Sequence, residues 1–249
     1  ACVPERPVAC DEKPGKISDM FKALFKNDQA MTVVVSIILV YTSLNICGNL
    51  VLYFFRFDVG NEGAYSIFAA VAFAAQVLVM MVIPLLRKRF SKSQLFISGF
   101  VIQIAGFAVI LIMAFAKLYT PQSWYILCLP GILIYLGYGM LNVIMTIFLS
   151  DSVDYGEVMN GTREESVIFS MQTFTVKLAS GVAVFLAGLV VDWIHLDTAA
   201  AVQTQDTLDA LRMWMTIPSV ILLIVGIFVF KRFYKLDDTR MEEIKSKLN

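Results

Sequence analysis

The chain has 249 residues, of which 58% are hydrophobic and only 16% charged, and its mean hydropathy is +0.74. A soluble domain carries roughly 25% charged residues; here the few charges are clustered and leave long uncharged windows, which excludes a large soluble core and points to an all-α membrane protein. Zero net charge at pH 7 leaves no basic surface for nucleic acid, so no nucleic-acid partner is expected.

Residues 1–28 begin with Ala rather than Met and hold no signal-peptide apolar run. They read as a linker, with Ala1 a cut site or a boundary inside a longer chain. Within it, "ISDMFKALFK" (17–26) places Ile17, Phe21, Leu24 and Phe25 on one helical face. The preferred reading is a helix lying on the inner leaflet, and the alternative is a partner-binding helix. Cys2 and Cys10 have no His nearby, and Cys47 and Cys128 sit in apolar runs, so all four read as reduced thiols rather than zinc ligands.

Residues 29–236 are predicted to form a bundle of six transmembrane helices, with spans near 29–56, 64–86, 94–116, 123–150, 167–191 and 212–230, followed by a tail at 237–249. The runs do not alternate, which argues against a β-barrel. Sixteen of the twenty basic residues fall in 1–28, "RKRFSK" (87–92), 151–166 and the segment from Lys231. Both termini are therefore expected on the cytoplasmic side. Trp124, Trp193 and Trp214 fall near the outer span ends, where amphipathic rings settle at the interface.

Polar stripes mark three spans. In the first, Thr42, Asn45 and Asn49 share a face; in the fourth, Tyr135, Gly139, Asn142 and Thr146 do, with Tyr138 close by. In the fifth, Ser166, Ser170, Thr173, Lys177 and Ser180 follow a 4-3-4-3 spacing, with Gln172 beside Thr173. Amides, hydroxyls and aromatic faces together suit a cavity for a polyhydroxylated ligand; interhelical or back-bonded hydrogen bonds are the alternative. Lys177 lies about 15 Å into its span at 1.5 Å per residue, as the only clear charge inside any span. Placing it there costs roughly 2.5–3.5 kcal/mol, and no span carries a carboxylate well inside it. Its balance must come from a lowered pKa, a bound anion, another protomer or a second half of the same protein; the last is preferred.

The loop expected at 151–166, "DSVDYGEVMNGTREES", is acidic. Asp151 stands there at the negative C-terminal end of the fourth helix, so a cation should compensate. Arg163 and the basic loop at 87–92, including Arg87 and Arg89, emerge on the same side. A salt-bridge gate built from Asp151, Asp154, Glu157, Arg163, Arg87 and Arg89 is one reading, and a solvated loop is the other. Paired carboxylates for Mg²⁺ or acid–base chemistry lack a phosphate loop, a His cluster or a nucleophile nearby, so no enzyme activity and no tightly bound cofactor are expected.

The run "DSVDYGEVMNGTREESVIFSMQTFTVKLASG" resembles loop 10–11 and helix 11 of the glycoside–pentoside–hexuronide:cation symporters, the melibiose-permease-like sugar transporters of the major facilitator superfamily. "RKRFSK" and "KISDMFKALFKND" resemble its basic loop 8–9 and the segment joining its two halves. The resemblance covers nearly the whole chain, but only as a C-terminal half. It implies one six-helix bundle of a 6+6 fold in the cell (inner) membrane, with the sugar bound between the halves. It further implies that Gln172, Thr173 and Lys177 lie near the sugar and cation sites; Asn142 and Tyr138, from the stripe on the fourth span, are read with them as sugar-binding residues. Asn142 stands where melibiose permease has a sugar-packing tryptophan. The coupling cation (Na⁺, Li⁺ or H⁺) would be bound mainly by the N-terminal half. A carrier of a non-sugar solute such as a lipid or organic anion, and a non-transporting scaffold or sensor, remain the alternatives.

Overall fold

The computed structural model of the protein describes residues 25–161 and 165–248. Six of its helices are long and apolar enough to cross a membrane. These are α1 (Asp28–Tyr53, prolonged by a π-helical turn, Phe54–Asp58), α2 (Ala64–Leu86), α3 (Lys92–Phe115), α4 (Cys128–Asn160, after a 3₁₀ turn at Trp124–Leu127), α5 (Glu165–Trp193) and α6 (Gln205–Phe233). A short polar helix, α7 (Asp238–Leu248), follows. The expected amphipathic helix at 17–26 lies, but for its last two residues, outside the described residues, as do Cys2, Cys10 and Arg163. Cys47 and Cys128 are free thiols.

Asn27 starts α1. Its Oδ1 accepts from the Ala30 N–H at 2.9 Å, while its Nδ2 donates to the Ser152 carbonyl at 2.8 Å. One side chain thus caps α1 and ties it to α4. A Cβ on Gly156 would come within 2.9 Å of that amide, so glycine permits the approach.

The fourth helix does not end near 150. It runs to Asn160 and stops at Gly161, whose φ of 73° is the left-handed cap conformation. Nothing in 151–160 breaks a helix, and Asp151, Ser152, Val153 and Gly156 are buried against neighbouring elements. At 1.5 Å per residue this helix is about 50 Å long, against roughly 30 Å of hydrocarbon, so its last turns project beyond the apolar layer. The sixth helix likewise begins earlier than expected, at Gln205, where the Thr204 hydroxyl caps it by accepting from the Thr207 N–H. Its first two turns are polar, which hides them from a hydropathy reading.

α1 and α4 form the centre. α4 packs chiefly on α3 and α2, α1 on α6 and α5, α3 also meets α6, and α1 and α4 touch each other. Small residues set the closest approaches. A Cβ on Gly137 of α4 would lie 2.5 Å from the Gly99 carbonyl oxygen of α3. Between α1 and α6, the Ser43 and Ser219 hydroxyls each donate to the other's carbonyl, at 3.0 and 2.8 Å. Phe96, Phe148, Phe230 and Tyr234 fill the basic end, with Phe96–Phe230 and Phe148–Tyr234 centroids 4.5 and 4.4 Å apart. α2 and α5 turn large apolar side chains outward, including Ile67, Phe73, Met81, Phe174 and Phe185, as helices facing hydrocarbon do.

Candidate functional site

α1 and α4 meet at mid-depth through Tyr41. The Asn142 Nδ2 donates to the Tyr41 hydroxyl at 2.5 Å. Tyr138 meets Tyr41 edge-on, with ring centroids 5.5 Å apart, and Tyr135 lies 6.4 Å from Tyr138. Tyr138 is only 9% exposed, so it offers little more than an edge. The other polar groups here mostly bond back to their own helices. Asn45 donates to the Tyr41 carbonyl and Asn49 to that of Asn45, both at 2.7 Å. Thr146 donates to the Asn142 carbonyl at 3.1 Å and Thr173 to that of Phe169 at 3.3 Å. Of these groups Asn142 is the one whose side chain leaves its helix. Thr42, expected on the open stripe, is instead buried, and its hydroxyl has no partner among the described residues. Tyr41 takes that place. It was legible from its i, i+4, i+8 relation to Asn45 and Asn49, one residue out of register with the stripe drawn through Thr42.

On α5 the buried arc is Ile168, Met171, Thr175, Ala179, Ala183 and Ala187. At 100° per residue, Ser166, Ser170, Thr173 and Lys177 lie on the opposite side, roughly 160° from the centre of that arc and about 80° from the apolar stripe of Phe174, Leu178 and Phe185. Lys177 is exposed and makes no hydrogen bond or ion pair with the described residues; Thr173 is exposed and Gln172 half-buried. Lys177 and Tyr41 both lie roughly 18–20 Å from the basic-end start of their helices.

At the basic end, Lys92 opens α3 and donates to Asp151 in a close ion pair, both residues being 5% exposed. Lys92 Nζ lies 3.5 Å from Asp238, and the Arg87 guanidinium donates to Asp238 at 3.2 Å. Asp151 is therefore compensated by Lys92. The expectation that it sits at a helix terminus is corrected, because α4 continues beyond it. Arg87 pairs with the tail rather than with the acidic segment, and Arg89 is exposed without an ion pair among the described residues. Asp154 and Glu157 are half-buried on the projecting part of α4. The expected tail at 237–249 is largely α7, whose Met241 and Ile244 join Leu236 in packing against Tyr155, Val158 and Tyr234. Burial disfavours the Asp238 carboxylate, but the Arg87 hydrogen bond and the charges of Arg87 and Lys92 outweigh it and hold its pKa below the usual Asp value. A cavity of about 530 Å³ opens here, lined by Arg87, Arg89, Lys92, Asp151 and Asp238.

The opposite end holds a buried cluster that the sequence reading missed. Arg212, at the first position of the sixth span expected from the sequence, is 2% exposed inside α6. Its Nε and one terminal nitrogen grip the two Asp58 oxygens at 2.7 and 2.6 Å, and the other terminal nitrogen donates to Asp209 at 2.7 Å. The Tyr119 hydroxyl donates to Asp58 at 2.7 Å; burial, then the Asp58 charge, push its pKa up, so it remains a donor. Lys177 is thus not the only charge within a spanning helix. The signal for Arg212 was present in "QDTLDALR", which is helical once Thr204 is read as a cap.

No group of three or more His, Cys, Asp or Glu side chains among the described residues is placed to hold a metal ion. A family profile described as MFS/sugar transport protein matches residues 4–238. The chain is similar to the uncharacterized symporter YjmB of Bacillus subtilis, 25% identical over 94% of this chain and 49% of that protein. It is similar to the raffinose carrier protein of Pediococcus pentosaceus, 23% identical over 93% of this chain and 35% of that protein. It is also similar to the isoprimeverose transporter of Lactiplantibacillus pentosus, 25% identical over 89% of this chain and 44% of that protein. The chain spans about half, or less, of the length of these curated relatives.

Proposed function

We propose, from the premise that the chain belongs to the MFS/sugar transport protein family, that it forms the C-terminal half of a cation-coupled sugar symporter working by alternating access. The named relatives, a raffinose carrier and an isoprimeverose transporter, support a sugar or glycoside as the solute. Their greater length supports an N-terminal partner bundle in the same polypeptide. On this reading the protein sits in the cell membrane with both termini of this chain cytoplasmic, since the basic end would face inward.

The observation that carries the reading is Lys177: an ammonium at mid-depth, turned away from its own bundle, without a partner among the described residues. A Lys at that depth costs roughly 2.5–3.5 kcal/mol unless a counter-charge or water reaches it. A carboxylate on the facing bundle supplies that charge, and the same carboxylate binds the coupling cation. Occupancy of the cation site then changes what Lys177 pairs with, which links the cation to the sugar bound beside Gln172, Thr173, Asn142 and the edge of Tyr138. Rocking of the two bundles exposes this site to one side and then the other. Asp151, Asp154, Glu157 and Arg163, with Arg87 and Arg89, form the cytoplasmic gate, and Lys92 and Asp238 hold its framework.

Lys177→Ala in the natural full-length polypeptide tests this. Cation-driven accumulation of sugar should fall by at least about tenfold, the scale of a coupling free energy of about 1.4 kcal/mol. Sugar exchange without a cation gradient should persist. Unchanged cation-driven uptake eliminates the coupling role.

A further inference from the structure

We infer that Tyr41 is a specificity-determining residue which, with Asn142, reads two adjacent hydroxyls of the sugar ring. The inference rests on the sugar-transport reading and adds a residue and a recognition rule that the reading leaves open.

Asn45, Asn49, Thr146 and Thr173 each spend a donor on a carbonyl four residues back in their own helix. Asn142 instead reaches from α4 to α1, its Nδ2 donating to Tyr41 Oη. The Tyr138 hydroxyl also lies within hydrogen-bond reach of Tyr41 as a donor, so the two lone pairs of the phenol are taken up and the Tyr41 O–H proton must point elsewhere. The bond from Asn142 uses one of its donors and leaves Oδ1 as an acceptor. Asn142 Oδ1 has no partner among the described residues and yet is not a buried atom, and Tyr41 is only half-buried. The seam therefore presents one donor and one acceptor on neighbouring side chains. A hydroxyl both donates and accepts, so two adjacent sugar hydroxyls satisfy the doublet: one accepts from Tyr41 and the next donates to Asn142.

The doublet is held rigid. The Tyr138 ring stands edge-on to Tyr41 and Tyr135 backs Tyr138. Two residues along α1, Ser43 locks that helix to α6 through its reciprocal bonds with Ser219. A ring held by Tyr138 on one side, with its hydroxyl bonded to an amide on a helix locked to its neighbour, resists swinging to suit a different hydroxyl pattern. A sugar lacking one of the two hydroxyls leaves a desolvated polar atom unpaired, which is how polar sites reject analogues.

The test uses the natural full-length polypeptide, wild type and Tyr41→Phe, titrated with methyl galactoside, glucoside and xyloside and with their single-deoxy forms. Wild type should lose about tenfold to a hundredfold in affinity at two neighbouring deoxy positions. Tyr41→Phe should bind the parent sugar as weakly as wild type binds one of those deoxy forms, and be indifferent to that deoxy position. Its melting temperature should stay close to wild type, because the ring is kept. A Tyr41→Phe protein that discriminates among the deoxy forms as wild type does overturns this inference and leaves the sugar reading standing. Failure of wild type to bind any of these glycosides removes the sugar reading, and this inference with it.

Discussion

Replacing Asp58 by Asn probes the buried pair at the end of the bundle opposite the basic one. Arg212 and Asp58 have side chains only 3% and 4% exposed, joined by two hydrogen bonds of 2.6 and 2.7 Å. Removing one partner of such a pair costs about 3–5 kcal/mol, because the other charge stays buried. Arg212 keeps Asp209, whose side chain is 38% exposed, so the lower end of the range applies. At about 2–4 °C per kcal/mol for a domain of this size, roughly 3 kcal/mol lowers Tm by about 6–12 °C. Cys47 is 6% exposed, so in detergent-purified protein with Cys2, Cys10 and Cys128 replaced by Ser its reaction with a thiol-reactive dye reports unfolding. The double variant Asp58→Leu/Arg212→Met removes both charges and should melt near or above wild type, since apolar replacements of buried pairs are often neutral or stabilising. A Tm for Asp58→Asn within about 2 °C of wild type, or a double variant no better than the single one, refutes the reasoning.

Gly137→Ala should destabilise by about 1–3 kcal/mol, because the new Cβ would meet rigid backbone of α3, 2.5 Å from Gly99 O and 2.6 Å from Gln103 N. Gly181→Ala, with nothing within 4 Å of the new Cβ, should melt like wild type in the same assay. The pairing that depresses the Asp238 pKa stabilises α7 docking in full above the ordinary Asp value of about 4 and is lost as pH falls through the lower folded value. A spin label at Ser246 should therefore gain mobility on acidification below that value, and Asp238→Asn should be mobile already at neutral pH; a label equally immobile throughout would contradict the docking role.

Much of the frame was legible because hydropathy is a local property. The six apolar runs became α1 to α6, and Trp193 and Trp214 came together, their ring centroids 5.6 Å apart. The misplaced boundaries share one cause. The last three turns of α4 and the first two of α6 are helical but polar, and a reading tuned to apolar length stops where apolarity stops. The same blindness put Arg212 at the edge of a span and turned α7 into a tail. On α1, the one-residue offset between Thr42 and Tyr41 shows that a stripe on a helix with few polar residues fixes a face only to within about 100°.

By itself the sequence determined the solvent of this protein, the number of its long helices and the oddity of Lys177, because each follows from how residues partition between water and hydrocarbon. Only the tertiary structure decided which polar groups meet: Asn142 with Tyr41, Lys92 with Asp151, Arg212 with Asp58. These pairs join residues 59 to 154 positions apart. Their partners are selected by helix packing and by the cost of burying an unmatched polar atom, which no local pattern along the chain records.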